Sequence, residues 1–389
     1  MHGKCTRHRV KGIPGVKDRS FDTLQDAKTW LAQAQTDARR GEFVDPRDGA
    51  ISLRDYTETH WWPTRSGDPS TIERTEQQVR RHILPHLGSQ PLNGIGAEGL
   101  RNWKKRLEKD LGPASIRLVW ATLSSILQTA VEDRRLARNP CRSSTVGPPT
   151  AGQGRVEAWS PERVLAVRAA MPERYRVLVE LGAGLGLRQG EALGLSVEDV
   201  DFDKEVVHVR RQVKMVRAKL CFALPKGRKV RDVPLPSSVA RAVQRHTERF
   251  APVPVTLPWD DPRPPETPVE AKHRRPRTYS LLVTGRERKA INRNYFNSHV
   301  WKPVLTKAGV IAPLEESTGG SRVWEPSREH GFHALRHFYA SEELEAGESV
   351  VSLARWLGHS DPGFTLRKYS HFLPRAGARG SAAIDAIFA

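Results

Sequence analysis

Apolar side chains recur every three or four residues through most of this chain, a spacing that predicts helices. Ala27, Trp30, Leu31 and Ala34 form the first such face, after a short basic, glycine-containing stretch that ends at Ser20-Phe21-Asp22-Thr23. From residue 52 to about 139 the pattern is helical throughout. Ser70-Thr71-Ile72-Glu73 has the form of an N-terminal cap, Val79, Ile83 and Leu84 follow it, and Pro85 predicts the end of that helix. Leu100, Trp103 and Leu107 continue at helical steps, and Pro113-Ala114-Ser115 opens a long amphipathic helix carrying Ile116, Val119, Trp120, Leu123, Ile126, Leu127 and Ala130.

Residues 142–157 are rich in Gly, Pro, Ser and Thr, so a linker and a domain boundary are expected there. Beyond it, Ser160-Pro161-Glu162 caps a helix with Val164, Leu165, Val167 and Ala170, and Tyr175, Val177, Leu178 and Leu181 begin the next. Glycines 182, 184, 186 and 190 then loosen the backbone around Arg188. Ser196-Val197-Glu198-Asp199 reads as a further cap. The period then changes: residues 206–213 have the β-branched content of a strand. Strands near 220–224 and 230–235, joined as a hairpin through Lys226-Gly227-Arg228-Lys229, complete a small antiparallel sheet. A helix is expected over 238–250, a proline-crowded exposed insertion over 251–278, a helix over 295–308, and a short apolar helix over 382–389. The expected fold class is multi-domain and mainly α: a helical bundle, then a mixed α/β domain of mostly helices with a small antiparallel sheet.

Charge narrows the partner. Lys+Arg of 63 against Asp+Glu of 44 leaves a formal +19 and a pI near 10.2, which points to a polyanion, with nucleic acid favoured. Arg80, Arg81, Lys104, Lys105, Arg134 and Arg135 lie on polar faces of the bundle and are candidates to grip a DNA backbone, although each alone reads as solvated charge. No apolar run approaches the ~18 residues that cross a bilayer, and the first residues lack the apolar core of a signal peptide. A cytoplasmic protein with no membrane contact is expected. Cys5, Cys141 and Cys221 are odd in number and far apart, which suggests neither a disulfide framework nor a zinc site.

The chemistry concentrates between His333 and His371. His333-Ala334-Leu335-Arg336-His337 is followed by an apolar helical run, then Leu357-Gly358-His359-Ser360, then Tyr369-Ser370-His371. These residue types suit a phosphodiester. Its cleavage without a metal needs a nucleophile, cations for the non-bridging oxygens, and an acid for the departing 5′ oxygen. Arg188 and Arg336 are candidates for the cations, since a guanidinium fork holds phosphate oxygens and keeps its charge. Lys226 is the candidate acid, with Lys229 a nearby competitor. His333 lies one helical turn before Arg336, where it could orient a phosphate oxygen or take the nucleophile's proton. His359 follows a glycine expected to end the preceding helix, which aims its ring at the site. Tyr369 is the candidate nucleophile. His337 and His371 read as structural.

Taken together, Gly186-Leu187-Arg188-x-Gly190-Glu191, Lys226 ahead of Val233-Pro234-Leu235, His333-x-Leu335-Arg336-His337, Leu357-Gly358-His359 and Tyr369-Ser370-His371 resemble the tyrosine recombinases, or phage integrase family. On that resemblance Arg188, Lys226, His333, Arg336, His359 and Tyr369 take the catalytic positions and Glu191 is a supporting carboxylate. The resemblance divides the chain into an arm-type DNA-binding module with an abbreviated sheet (1–50), a helical SAM-like core-binding domain (51–141), a linker (142–157) and a catalytic domain (158–389). It further implies strand cleavage and rejoining through a 3′-phosphotyrosine, by an integrase of a phage or other mobile element, with no metal, ATP or other cofactor. Its partners would be double-stranded recombination sites, bound by a homotetramer that is monomeric when free and nucleoid-associated when bound. An excisionase or a DNA-bending host factor would be accessory, and the segment 382–389 could dock on a neighbouring subunit. A type IB topoisomerase-like relaxing enzyme and a non-catalytic sequence-specific DNA-binding protein are the competing readings.

Overall fold

The computed structural model describes residues 7–13, 18–39, 45, 47–150, 157–313, 315–316, 322–323, 329–372 and 387. It contains two compact units, Met1–Gln153 and Gly154–Ala389, divided within the stretch expected to be a linker. The apolar segment at 382–389 lies outside the described residues, save for position 387.

The first unit begins with two short antiparallel strands, β1 (His8–Val10) and β2 (Arg19–Phe21), against which α1 (Leu24–Arg39) packs Ala27 and Ala34. A helical bundle follows, built from α2 (Leu53–Tyr56), α3 (Pro69–Gln78), α4 (Ala97–Asp110) and α5 (Pro113–Glu132). The seven apolar positions expected along α5 are all buried. Trp103 of α4 stacks on Trp120 of α5 with centroids 5.8 Å apart and donates its indole N–H to the His82 carbonyl at 2.9 Å. Two expectations need correction. The cap of α3 is Asp68, whose carboxylate accepts from the N–H groups of Ser70 and Thr71, and not the Ser70 sequence itself. Nor does the helix stop at Pro85: it continues through a π turn, Val79–Ile83, into a final turn, Leu84–Leu87. The wider turn accommodates a proline whose missing N–H and bulky ring would break a regular α ladder.

The second unit opens with α6 (Pro161–Ala170), capped by Ser160, then α7 (Glu173–Ala183) and the short α8 (Gln189–Leu193). Its main sheet is β3 (Val200–Asp201), β4 (Val206–Val209) and β7 (Arg231–Pro234), while β5 (Gln212–Val216) and β6 (Lys219–Ala223) form a separate hairpin. The single strand expected over 206–213 is therefore two. It breaks where Arg211 turns inward to pair with buried Asp199. The Lys226 turn is also not the tip of a hairpin. It crosses between two sheets, since β6 pairs with β5 and β7 with β4.

After α9 (Ser237–Arg249), the expected insertion proves to be partly core. Val253 and Val255 of β8 (Val253–Leu257) are buried, and this strand pairs along its length with β9 (Arg277–Leu281); α10 (Pro268–His273) lies between them. The pattern Val-Pro-Val-Thr-Leu alternates inward and outward, so its proline sits on an outward position. α11 starts at Arg293–Phe296 and runs through a π turn, Asn297–Trp301, into Lys302–Lys307. Three helices close the described fold: α12 (His333–Glu345), α13 (Val350–Leu357) and α14 (Pro362–Tyr369). α12 lies close on α7 because Gly182 has no side chain; a Cβ there would stand 2.7 Å from Leu335. Among the described residues no helix is long and apolar enough to cross a membrane.

Candidate active site

Arg336 is the hub. It faces inward from the first turn of α12, its residue wholly buried, and one terminal nitrogen donates to the Gly186 carbonyl at 2.7 Å. The other donates to the Leu357 carbonyl at the end of α13 and lies 3.1 Å from His359 Nε2. A single guanidinium thus joins the Gly186 loop, the α13 terminus and the His359 turn. Its Nε–H is buried and has no partner among the described residues. Burial, then repulsion from Arg188, pulls this group down to about 9, so it remains a cation at neutral pH.

Arg188 lies at the N-terminus of α8, where Glu191 accepts from its backbone N–H and from its Nη1, both at 2.9 Å. Glu191 is buried and also takes two hydrogen bonds from Arg231 of β7, at 3.0 and 2.7 Å. Burial alone would raise this carboxyl. The hydrogen bonds and charge of Arg231, and then Arg188 and Arg336, outweigh it and hold Glu191 at about 2.

His359 follows Gly358, which ends α13 in the left-handed region at φ 64° as a helix C-terminus favours. Arg336 has only donors, so the contact at 3.1 Å makes His359 Nε2 the acceptor and leaves the ring proton on Nδ1. That nitrogen lies 2.7 Å from the hydroxyl of buried Thr365 on α14. Burial, followed by the charges of Arg336 and Arg188, holds His359 at about 3.

Tyr369 ends α14 and is buried against Tyr339, Leu353 and Leu357 of its own chain. Its hydroxyl lies 2.6 Å from His337 Nδ1. Burial pushes the phenol up to about 12, against the pull of Arg336 and then Arg188, whose charges reach it. His333 keeps an exposed rim and meets His337 edge to face at 4.6 Å; dehydration by its neighbours, then the charges of Arg336, Lys368 and Arg188, lowers its pKa.

The structure therefore brings Arg188, Glu191, Arg336, His359 and Tyr369 into one connected region, with His333 beside them. Lys226 stands apart: it is exposed on a turn eased by Gly227 at φ 76°, and no contact links it to the others among the described residues. Lys229 instead donates to the His359 carbonyl at 3.1 Å. His371 is exposed, and its ring meets that of Phe372 at a tilt with centroids 4.0 Å apart. Two residues escaped the sequence reading. Arg231 also donates to the Trp356 carbonyl at 2.5 Å, so it ties Glu191 to α13. Its signal was the alternation Arg231-x-Val233, which turns both side chains inward from one strand. His337 was set aside as structural, though it shares a helix face with His333 four residues earlier.

The phage integrase family model matches residues 161–375, which span this whole constellation, and the N-terminal SAM-like domain of phage integrases matches residues 59–107. The chain belongs to the phage integrase family of tyrosine recombinases. A XerC-like tyrosine recombinase of Caldanaerobacter subterraneus subsp. tengcongensis is 24% identical over 94% of this chain and 90% of its own length. The integrase of Mycobacterium phage D29 is 29% identical over 63% of this chain and 67% of its own, and a prophage phiRv2 integrase of Mycobacterium tuberculosis is 26% identical over 92% and 85%. The fold is similar to that of the Tn1549 transposon integrase in complex with a circular intermediate DNA, with a TM-score of 0.64 at 18% identity, covering 87% of this chain and 100% of that one. It is also similar to a lambda integrase tetramer bound to a Holliday junction, with a TM-score of 0.57 at 14% identity, covering 95% and 93%.

In this tyrosine recombinase the six cations proposed to meet DNA differ in their engagement. Arg81, Lys105 and Arg134 are exposed. Arg80 pairs with Glu76 at 3.0 Å, Lys104 reaches the Gly147 carbonyl at 3.4 Å, and Arg135 reaches the Asp48 carbonyl at 3.5 Å.

Proposed function

We propose that this integrase cleaves and rejoins duplex DNA at specific sites, using Tyr369 as the nucleophile and the Arg188 and Arg336 pair as the phosphate cradle. The observation that carries the reading is the place of Arg336: buried, held from three directions, with one N–H unmatched among the described residues and with its charge felt at the Tyr369 phenol. A buried donor without a partner is costly, and a phosphate oxygen would satisfy it.

Attack by the phenolic oxygen forms the Oη–P bond and breaks the bond from phosphorus to the 5′ oxygen, leaving a 3′-phosphotyrosine and a 5′ hydroxyl. The phosphodiester energy is kept in that linkage, so another 5′ hydroxyl can reverse the step. Arg188 and Arg336 offset the charge that grows on the non-bridging oxygens, and Glu191 keeps Arg188 in register. His359 supports Arg336 and lies beside the same oxygens, with His333 on the open side. Lys226 on its exposed turn, with Lys229 as competitor, protonates the leaving oxygen. Four such subunits on two synapsed sites would exchange both strand pairs. Arg80, Arg81, Lys104, Lys105, Arg134 and Arg135 would hold the backbone of the duplex. An excisionase or DNA-bending protein would set direction, and the protein would act in the cytoplasm on the nucleoid.

The test uses the DNA that borders the gene at its own locus as the source of both sites. Joined products between two plasmids carrying those segments are expected without added metal or nucleotide. Relaxation of supercoils with no joint products would instead fit a type IB topoisomerase, and binding without cleavage a repressor.

A further inference from the structure

We propose that His337 takes the proton from the Tyr369 hydroxyl as its oxygen attacks phosphorus, and returns it when the strand is rejoined. This rests on the reading of Tyr369 as the nucleophile. His337 follows the hub arginine directly, and its Nδ1 stands 2.6 Å from the phenolic oxygen, within the reach a general base needs. For the phenol to donate, Nδ1 must be the bare nitrogen and Nε2 the protonated one, which is the tautomer the proposal requires.

The other two histidines are placed differently. His359 accepts from Arg336 at one nitrogen and gives its proton toward Thr365 at the other, so its one bare nitrogen is already engaged by the guanidinium. His333 meets His337 edge to face, and among the described residues no hydrogen bond joins it to the phenol.

The surroundings explain how one group can serve in both directions. His333, Arg336 and Lys368 are the titratable neighbours that act on His337 beside Tyr369; with burial as the larger cause they hold the imidazole at about 3. The phenol lies at about 12, so in the resting site the proton stays on oxygen. Attack on a bound phosphodiester tips that balance. As the Oη–P bond forms, the oxygen loses its hold on the proton, and the second charge of the phosphorane favours an imidazolium nearby, so transfer accompanies formation of that bond. The Oη–H proton passes to Nδ1, phosphorus releases the 5′ oxygen, and that oxygen takes its own proton from the leaving-group acid. Rejoining runs each transfer backwards.

The test measures covalent adduct formation by the full-length chain on a nicked suicide duplex bearing its core site. His337→Asn keeps a hydrogen-bonding group near Nδ1 but no base. It should cleave on the order of 100-fold more slowly, at unchanged DNA affinity, because general bases contribute factors of this size. Replacing Tyr369 with a difluorotyrosine, whose phenol ionises more readily, should then recover about tenfold or more in His337→Asn and much less in the otherwise native chain. A wild-type rate in His337→Asn, or a deficit that is the same with both phenols, overturns the proposal and leaves His337 as a support. An unsubstituted chain that forms no adduct overturns the assignment of Tyr369 instead. Should His337→Asn fail to fold, nitrogen NMR of histidine in the native protein decides: protonation at Nε2 is expected, and protonation at Nδ1 rules the transfer out.

Discussion

Arg231 grips both oxygens of Glu191, Nη1 to Oε1 at 3.0 Å and Nη2 to Oε2 at 2.7 Å, and both side chains are buried. Glu191 in turn holds Arg188, and Arg231 reaches the last turn of α13 through the Trp356 carbonyl. The proposed phosphate cradle thus depends on an arginine that need not touch DNA. Arg231→Ala leaves Glu191 buried with half its partners, a loss that costs roughly 3–5 kcal/mol for buried pairs. The expected result is a matching fall in urea stability with loss of cleavage. Arg231→Lys should recover only part of both, since an ammonium cannot form the paired bonds.

Acid should weaken the same domain in two stages. His337 and His359 are each held at about 3, chiefly by burial, so below the ordinary imidazole value of 6.5 the unfolded chain binds protons that the folded chain refuses. Stability present above that value is lost as pH falls. Glu191, held at about 2 against an ordinary 4.5, adds a second decline below 4.5 for the same reason. Urea midpoints at about pH 7.5, 5.5 and 4 should fall in that order. A flat profile across the first interval would show that the histidines are not held neutral by the fold.

Gly358 sets the exit of the chain from α13 and so the position of His359. At φ 64° an alanine is strained by about 1–2 kcal/mol, and its Cβ would stand 3.1 Å from Arg231 Cδ. Gly358→Ala should lower stability by about that amount and slow cleavage, while Gly358→Asn, which tolerates the left-handed region better, should do less harm.

The leaving-group acid separates two lysines that stand three residues apart. Lys226→Ala should slow cleavage of an ordinary phosphodiester and be largely rescued by a 5′-bridging phosphorothiolate, whose sulfur leaves with little need of a proton. If Lys229→Ala is the variant so rescued, its contact with the His359 carbonyl marks the acid instead.

Periodicity and local chemistry made much of this molecule legible. The buried face of α5, the glycine that ends α13 before His359 and the helical turn from His333 to Arg336 are all local features, and each is formed as expected. Strand pairing is not local. The Lys226 turn looked like a hairpin because two β-rich runs flank it, yet each run found a better partner elsewhere. Arg231 was overlooked for a related reason: a charge in a strand takes its meaning from the residue it meets, and Glu191 is 40 positions away. His337 needed the position of Tyr369, 32 positions on, before its role could be read.

The most direct measurement is the covalent complex itself. A nicked suicide duplex carrying the core site, incubated with the full-length chain and digested with protease, should leave DNA attached to the peptide containing Tyr369, and Tyr369→Phe should abolish that attachment while retaining DNA binding. Attachment at another residue, or an undiminished adduct in Tyr369→Phe, would contradict the account.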